Sequence, residues 1–362
     1  MGPVSTGSGS AIRVGLIGYG LAGRVFHAPL ITTTPGLELV SVVTADPHRR
    51  SLAGAELPGV EVLASPAALW DRASDHDLVV VASTTGTHTP LASAAVDAGL
   101  AVVVEKPLAP QPAEARALVE QAAAAGVMVS VFHNRRWDAE HLTLRRLVGE
   151  GVLGALVRYE SRFERWRPER KSGAWREELS ATDGGGVLLD LGVHLVDQAR
   201  QLLGPVSHVY AEVAARRGGS DDDVFVALRH SSGAQSHLWA SAVSAAPGPR
   251  LRVLGSDAGF VVEHLDPQED MLRAGGRPDD PGFGVVPPER WGRLVRGDAG
   301  EPVPSERGQW SAFYDGVVRA VRDGGPPPVD PADALVTLEV LEAARRSAAE
   351  AVVVALEPPG PP

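Results

Sequence analysis

The chain has 362 residues, of which 44% are hydrophobic and 22% are charged, and its formal net charge is −11. This length is enough for two domains with substantial cores. The absence of cysteine excludes disulfides, thiolate catalysis and cysteine-based metal sites, and the acidic balance argues against a general affinity for nucleic acid or anionic membranes. No apolar run approaches a membrane span. The Gly/Ser-rich segment 1–10 is expected to be a disordered tail and not a secretion signal, so we expect a cytoplasmic protein.

The most informative stretch runs from Ile12 to Leu30, IRVGLIGYGLAGRVFHAPL, where a short apolar run leads through a glycine turn into a helix. This order is typical of a dinucleotide site: Gly18 permits the turn, Gly20 lets backbone amides approach a pyrophosphate, and Gly23 allows close packing of helix on strand. The anion would lie on unpaired N–H groups at the helix N-terminus. An ordinary glycine-rich turn is the alternative, and the alternating strands and helices that follow favour the dinucleotide site.

A doubly wound parallel sheet is predicted for residues 11–132, since its strands are continuously apolar and helices separate most of them. The predicted strands are Val14–Ile17, Leu37–Thr44, Val60–Leu63, Leu78–Ala82, Ala101–Val104 and Val127–Val131. Helices are predicted after Asp46-Pro47 and after Ser65-Pro66, where an N-cap residue precedes a first-turn proline. Two more, Thr89–Ala98 and Pro112–Ala125, are each followed by a glycine. This arrangement is a Rossmann domain.

The pattern changes from His133 onward, and residues 133–362 are predicted to form an α+β domain with an open, mainly antiparallel sheet. Val157, Tyr159 and Phe163 alternate with Arg158, Glu160 and Arg162, as in a sheet with one wet side. Helices are predicted over Ala139–Gly149 and Leu188–Leu203, and strands over Val206–Ala214, Val224–Arg229, Ala234–Ser241, Leu251–Gly255 and Phe260–Glu263.

The last third of this domain combines an irregular segment with two helices. His264–Gly308 is rich in Pro, Gly and charge, so we expect little regular structure there. Apolar residues at helical spacing then predict a buried amphipathic helix, with Trp310, Phe313, Tyr314, Val317, Val318 and Val321 on one face. Asp330-Pro331 caps a final helix, Ala332–Glu350.

Lys106 is the first candidate for chemistry, because Glu105-Lys106-Pro107 directly follows a predicted strand of the parallel sheet. Ligands bind outside the carboxyl ends of such strands, so the lysine would project toward the cofactor crevice. A lysine of a surface loop is the alternative.

Asp190 and His194 form the second candidate. On a single helix their spacing of four places them about 40° apart around the axis, on one face. Asp197 lies near that face, so either carboxylate could fix the imidazole tautomer. Such a histidine can accept the hydroxyl proton of an alcohol as hydride leaves the carbon. A surface pair stabilising the helix is the alternative, and a metal reading is weak because no further histidine is near.

His133-Asn134-Arg135-Arg136-Trp137 follows the sixth predicted strand and therefore also lies at the rim of the crevice. An arginine there could clamp a polyol hydroxyl or an acidic group, and Trp137 could wall a pocket. A domain junction held by ion pairs is the alternative. His88 is placed similarly after the fourth strand, with helix capping by Thr87 or Thr89 as its competing explanation.

Together these motifs resemble the glucose–fructose oxidoreductase, inositol dehydrogenase and MocA (Gfo/Idh/MocA) family, from about Ile12 to Leu356. The likeness is closest to a subgroup that includes NADP-dependent scyllo-inositol dehydrogenases. It rests on GYGLAGRVFHAPL, on VFHNRRWD, on the RPER…WRE stretch around Pro168–Glu177, and on LDPQEDMLRAG from Leu265 to Gly275.

The resemblance implies reversible hydride transfer between a nicotinamide and a hydroxyl-bearing ring carbon of a cyclitol or sugar. His194 would be the acid/base, and Lys106 and Asp190 would orient and polarise the reacting oxygen. The residues expected to bind the cofactor are Gly18, Gly20, Leu21, Ala22, Gly23, Thr44, Asp46, Arg49, Ser83, Thr84, His88, Glu105 and Lys106. Those expected to bind substrate are Asn134, Arg135, Trp137 and Arg167, and no metal site is expected. A homodimer or homotetramer built through the open sheet face is also implied.

Two positions depart from the family pattern. Thr84-Thr85-Gly86 stands where members often carry a proline beside Asn, Ser or Pro, so the cofactor contacts there differ. At the end of the second strand, NAD users commonly place an acid for the ribose hydroxyls. Here Thr44 holds that place, with Asp46 two residues later and Arg49-Arg50 beyond, which favours NADP slightly over NAD.

Two other functions stay open at this stage. The first keeps the chemistry but changes the substrate to a nucleotide-linked sugar or an aminocyclitol, because Arg165, Arg167 and Arg170 would suit phosphates. The same arginines could form a solvated or ion-paired loop. The second is a regulatory protein that binds NAD(P) without turnover.

Overall fold

The computed structural model describes residues 10–170 and 175–356. Most of the predicted N-terminal tail, part of the RPER…WRE stretch at 171–174, and the end of the C-terminal domain at 357–362 lie outside the described residues. The described chain forms a six-stranded parallel sheet and a nine-stranded, mostly antiparallel sheet. The predicted fold class is therefore confirmed. We call the parts built on these sheets the first and the second domain.

The first domain is a doubly wound parallel sheet. Its strands are β1 (Ile12–Ile17), β2 (Leu37–Val43), β3 (Glu61–Leu63), β4 (Leu78–Val81), β5 (Ala101–Glu105) and β6 (Val129–Phe132), and its helices are α1 (Ala28–Thr33), α2 (Pro47–Glu56), α3 (Pro66–Trp70), α4 (His88–Asp97) and α5 (Pro112–Ala125). The strand order is β3-β2-β1-β4-β5-β6. The order reverses between β1 and β4, which is where open sheets of this kind bind ligands.

Local sequence explains these elements. All four residues of β4 are buried, as its continuous apolar run predicts. Asp46 accepts hydrogen bonds from the N–H groups of His48 and Arg49 at the start of α2, and Ser65 accepts one from Ala68 at the start of α3. Both predicted N-caps are therefore confirmed.

The second domain is built on the larger sheet. Its strands are β7 (Leu156–Glu164), β8 (Val206–Ala214), β9 (Asp223–His230), β10 (Gln235–Ser241), β11 (Leu251–Gly255), β12 (Gly259–Val262), β13 (Arg293–Arg296), β14 (Ala299–Pro302) and β15 (Val354–Ala355). Its helices are α6 (Ala139–Gly149), α7 (Trp175–Glu178), α8 (Val193–Leu203), α9 (Gln268–Arg273), α10 (Ser311–Asp323) and α11 (Pro331–Glu350). The strand order is β14-β13-β12-β11-β7-β10-β9-β8-β15, and within this second sheet as described β7 and β10 pair in parallel whereas the other neighbouring strands pair antiparallel.

The central strand β7 has one packed and one open face. Tyr159 and Phe163 are buried, and α8 packs against this strand. On the open face the Arg162 guanidinium lies 3.9 Å from the ring centre of Trp239 on β10. Val157, predicted for the packed face, is 53% exposed because β10 pairs with β7 only from Arg158 onward.

The prediction for His264–Gly308 is wrong in part. The segment contains α9 and the hairpin β13-β14, which extends the edge of the second sheet. These short strands have few apolar residues, and backbone pairing with β12 supplies the order that their own sequence does not indicate.

Helix α11 joins the two domains. Asp330 caps it by accepting the N–H of Ala332, and the preceding Val329 carbonyl accepts a 2.9 Å hydrogen bond from Ser130 on β6. The helix packs on α5 and β6 of the first domain and on α8 and β8 of the second. It thereby holds α8 against the carboxyl edge of the parallel sheet.

Candidate active site

The glycine turn after β1 has two positions that exclude any side chain. Gly18 has φ +103°, and a Cβ there would lie 2.4 Å from the carbonyl oxygen of Ala82. A Cβ on Gly23 would lie 1.9 Å from the carbonyl oxygen of Gly18, whereas a Cβ on Gly20 would meet only Arg49, at 3.6 Å. The turn is therefore tight toward the sheet and open on its other side, as a backbone cradle for a pyrophosphate requires.

Helix α2, which follows β2, places the guanidinium of Arg49 beside this turn. Thr44 is buried, and its N–H donates to the Leu63 carbonyl. Asp46 caps α2, and its Oδ2 lies 3.8 Å from Arg49 Nε. The hydrogen bond from the Arg49 backbone N–H lowers the pKa of Asp46. The carboxylate is thus engaged in the helix cap, and Arg49 is the cation nearest the open side of Gly20.

The helix after the turn brings in His27, a residue that sequence reasoning missed. The segment Ala22–His27 is π-helical and continues into α1. His27 Nδ1 lies 2.6 Å from the Tyr314 hydroxyl and its Nε2 lies 3.1 Å from Glu105 Oε1. Burial would raise the pKa of Glu105, but the hydrogen bond and charge of His27 lower it below its usual value. The other Glu105 oxygen accepts the N–H of Lys106, so His27 fixes the loop that presents the lysine.

Lys106 and Asp190 form an ion pair between the domains. Lys106 Nζ donates to the carbonyl oxygen of Asp190 at 2.8 Å and to its Oδ1 at 2.9 Å. The lysine side chain is 14% exposed. Both residues line one cavity, so the lysine lies at the crevice and not on an outer loop.

His194 lies in the first turn of α8 and is buried. Its Nδ1 has no hydrogen-bond partner within the described chain. Burial, followed by the positive charges of Lys106 and Arg135, lowers the pKa of His194 well below its usual value. The ring is therefore neutral at neutral pH and can accept a proton.

Asp197 does not fix the His194 ring. It accepts hydrogen bonds of 2.9 and 2.6 Å from Arg136, and its nearer imidazole is His133, at 3.9 Å. The predicted single α-helix begins instead as a π-helical turn over Leu188–Gly192, so ideal α-helical angles do not apply to Asp190. Asp190 and His194 nevertheless both line the cavity.

The cavity measures about 820 Å³ and is lined from both domains. Leu21, Ala22, Glu105 and Lys106 come from the first domain, and Asn134, Arg135, Arg167, Asp190 and His194 come from the second. Its volume is typical of small-molecule sites. The residues predicted for hydride-transfer chemistry thus lie together beside the glycine turn.

Trp137 is a correction within the predicted substrate set. It packs edge-on against Phe313, with ring centres 5.8 Å apart, and belongs to the core and not to the cavity wall. Arg135 does line the cavity, yet it also donates to Glu269 at 2.8 Å and to Asp138 at 3.3 Å. Arg135 therefore has both of the features that the sequence analysis gave as alternatives, because it forms ion pairs at the domain junction and also lines the cavity.

The loop after β4, residues 83–88, is held by hydrogen bonds beside the crevice. Ser83 Oγ lies 2.6 Å from Thr87 Oγ1, and the Thr84 carbonyl accepts from the same hydroxyl. His88, predicted to bind the cofactor, is instead buried, with Nδ1 2.8 Å from the Pro107 carbonyl oxygen and Nε2 3.3 Å from that of Ser83. It connects two loops. Capping by Thr87 is also wrong, because its side chain makes no cap hydrogen bond.

The described ranges contain neither a metal-binding cluster nor a membrane-spanning helix. No group of three or more His, Asp or Glu residues within 10–170 and 175–356 is arranged to hold a metal ion. No helix in the same ranges combines the length and apolar character needed to cross a bilayer. The charged side chains of the cavity are instead arranged as ion pairs and single cations.

Comparison with known sequences gives two matches that together cover almost the whole chain. An oxidoreductase family's NAD-binding Rossmann fold matches residues 12–133, and the C-terminal alpha/beta domain of the same family matches residues 145–356. The chain belongs to the Gfo/Idh/MocA family. It is therefore an oxidoreductase with an NAD(P)-binding fold, and the resemblance predicted from its motifs is confirmed.

Similar members of the Gfo/Idh/MocA family are known from bacteria. The chain is 38% identical over 348 residues to the uncharacterized oxidoreductase YdgJ of Escherichia coli, covering 93% of this chain and 96% of that protein. It is 34% identical over 354 residues to the scyllo-inositol 2-dehydrogenase (NADP(+)) IolW of Bacillus subtilis, covering 96% of each. The solved structure of the oxidoreductase yvaA from Bacillus subtilis has a TM-score of 0.89 at 32% identity, covering 96% of this chain and 99% of that one.

Proposed function

We propose that this Gfo/Idh/MocA protein transfers a hydride between NAD(P) and a hydroxyl-bearing ring carbon of a cyclitol or sugar. The observation that supports this most is the neutral, buried His194 facing the same cavity as the Lys106–Asp190 pair, beside an open glycine turn. The similarity to IolW, a scyllo-inositol 2-dehydrogenase, supports the substrate class.

In oxidation, His194 takes the hydroxyl proton while the electron pair of the C–H bond leaves as hydride and the C–O bond becomes C=O. The lowered pKa of His194 leaves the imidazole free to accept that proton at neutral pH. The Lys106 ammonium, oriented by Asp190, polarises the substrate oxygen. A bound NAD(P) supplies the hydride acceptor, or the donor in the reverse direction.

The cofactor would be held by the backbone N–H groups around Gly18, Gly20, Leu21, Ala22 and Gly23, whose open side fits a pyrophosphate. Thr44, Ser83, Thr84 and Glu105 would complete this site. We propose NADP over NAD, because Arg49 lies beside the turn while Asp46 is engaged in capping α2.

Asn134, Arg135 and Arg167 would bind the substrate, as they line the cavity beside His194. Arginines at its rim also support a nucleotide-linked sugar or an aminocyclitol as the alternative substrate class. We further propose a homodimer or homotetramer formed through the open sheet face, where the tilted rings of Phe225 and Trp239 pack with their centres 5.2 Å apart. Cytoplasmic localisation remains a prediction.

The test compares His194→Asn and Lys106→Met with His208→Asn, a control on an exposed histidine of β8. Each variant is titrated with NADH and NADPH and then assayed on a panel of cyclitols and aldoses. We expect turnover to fall by about 10²- to 10⁴-fold in the two site variants, with cofactor affinity nearly intact and the control unchanged. Wild-type turnover in both site variants would refute the assigned roles, and cofactor binding without turnover on any substrate would favour the regulatory alternative.

A further inference from the structure

We propose that Arg165 and Arg167 form a subsite for an oxyanion, a carboxylate or a phosphate, carried by the ring that the active site oxidises. The inference rests on the proposed function, since it names a substrate class for the same cavity. It predicts that the preferred substrate is an acidic ring and not a neutral polyol.

The backbone places the two guanidinium-bearing residues on one side of an extended segment. Beyond β7 the chain stays extended, because the Arg165 N–H donates to the Ser241 carbonyl and the Arg167 N–H donates to the Ala242 carbonyl, both at 2.8 Å. Residues two apart on an extended chain share a face. Arg165 and Arg167 accordingly line the cavity, while Trp166 between them is 57% exposed.

The other described cations of this cavity already have partners. Arg217 pairs with Asp222 at 2.9 Å, Arg273 pairs with Glu269 at 2.8 Å, and Lys106 pairs with Asp190 at 2.9 Å. Arg135 pairs with Glu269, and the Arg170 side chain donates to the Glu177 carbonyl. These cations are already engaged by protein groups, so they are less available than an unpaired guanidinium to bind an additional anionic group.

Arg165 and Arg167 differ from this set. Across residues 10–170 and 175–356, neither side chain forms an ion pair or donates a hydrogen bond to a described residue. Burial, with the like charge of Arg167 next, lowers the pKa of Arg165. A half-buried guanidinium beside a second one, with no carboxylate in a direct ion pair or hydrogen bond with it, is electrostatically unfavourable. An anionic ligand group would relieve that cost.

The position of Arg165 assigns this anion to the substrate and not to the dinucleotide phosphates. Its electrostatic neighbours include Asp190 and Glu269, so it lies at the His194 end of the cavity. The phosphate cradle lies at Gly20, where the nearest cation is Arg49. A planar fork such as a guanidinium suits bidentate binding of either carboxylate or phosphate.

The test measures kcat/KM for four rings: myo-inositol, a neutral hexose, a hexuronate and a hexose phosphate. The full-length wild type is compared with Arg165→Gln, Arg167→Gln and Arg296→Gln, an exposed arginine of β13 that serves as the control. We expect an acidic ring to be preferred about 10- to 100-fold, the range typical of hydrogen bonds to a charged group. The preference should collapse through KM in both site variants and persist in the control. The hexuronate and hexose phosphate arms distinguish a carboxylate from a phosphate.

Equal use of neutral and acidic rings, or equal losses on both classes in the site variants, would overturn the inference and leave the proposed function standing. If none of the rings is turned over, the proposed function fails, and the subsite is decided by calorimetry with inorganic phosphate and with the hexuronate. Binding that Arg165→Gln weakens supports the subsite, and absence of binding to the wild type refutes it.

Discussion

The two domains differ in whether their buried polar side chains have hydrogen-bond partners. In the first domain, buried histidines have partners: Ser41 Oγ lies 2.7 Å from His76 Nε2, and His27 bridges Tyr314 and Glu105. The second domain and its junction hold the buried polar side-chain atoms that lack a hydrogen bond in the described chain. They belong to His133, Arg135, Glu140, His141, Arg158, His194, Arg200, Arg250 and Arg345.

At the cavity, this contrast agrees with the roles proposed for the two domains. A dinucleotide cradle is made of backbone N–H groups and glycines, so its side chains can be fully satisfied in the free protein. A site for proton transfer needs a polar atom whose partner is the substrate, and in the proposed mechanism the unpartnered Nδ1 of His194 is the candidate for that atom. Of the residues with unsatisfied atoms, Arg135 and His194 line the cavity, and departures from ideal packing are often found at functional sites.

The largest effect predicted for cofactor binding by the first domain is that of substituting Gly23. Gly23→Ala would place its Cβ 1.9 Å from the Gly18 carbonyl oxygen, and a backbone atom cannot move away as a side chain can. We expect the turn to distort at a cost of about 3 kcal/mol or more, roughly a 100-fold loss of NADPH affinity. Fluorescence titration of NADPH would measure the loss.

Gly54→Ala is the matched control, because a Cβ at Gly54 in α2 meets no atom within 4 Å. Alanine at such a helical position should leave NADPH binding unchanged and stabilise the fold slightly. Wild-type affinity in Gly23→Ala would contradict the cradle geometry. Circular dichroism separates a local effect on the turn from global unfolding.

Local sequence was enough for the elements that act through short-range rules. The glycine turn and the position of Lys106 follow from the rules for strand ends in a parallel sheet. Asp190 and His194 both line the cavity, although the α-helical geometry predicted for Asp190 does not hold. His27 could not be assigned its role, because its partner Tyr314 is 287 residues away. One signal was available, since His27 follows Gly23 by four residues and so shares its sheet-facing side of the helix.

Other errors came from long-range packing and from helix type. Trp137 lies against Phe313 because α10 folds back over the loop, a contact that no local pattern encodes. Both helices at the site begin as π-helical turns, Ala22–His27 and Leu188–Gly192. Such turns are rare and are found often at functional sites. The spacing of residues in the sequence does not predict them.

A smaller predicted effect concerns a buried histidine of the second domain, His141, and the dependence of the free energy of unfolding on pH. Burial lowers the pKa of His141 to about 3, so in the folded state its ring stays neutral while the unfolded chain binds a proton below about pH 6.5. The free energy of unfolding is therefore unaffected by His141 above about pH 6.5. It decreases as the pH falls from there toward the pKa of His141 in the folded state. Between about pH 7.5 and about pH 5 the loss is about 2 kcal/mol.

His141→Leu removes this proton linkage while it keeps the side chain apolar. Urea unfolding at the two pH values should therefore show a decline in the free energy of unfolding about 2 kcal/mol smaller than in the wild type. His133 and His194 are retained in both proteins, so their contributions cancel in the comparison. An identical decline in wild type and variant would mean that His141 is protonated in the folded state.

The smallest predicted effect concerns the cofactor edge of the first domain, where we propose that one side chain takes part in recognition. Arg49 is half exposed, so solvent weakens its contribution to binding a 2′-phosphate, and we expect Arg49→Gln to weaken NADPH binding by about tenfold. NADH binding should change little, since NADH lacks that phosphate. Arg50→Gln is the neighbouring control, because Arg50 donates to the Ala45 carbonyl instead. Equal losses for NADH and NADPH would show that Arg49 supports the turn itself, and the first domain would then recognise its ligand through backbone alone.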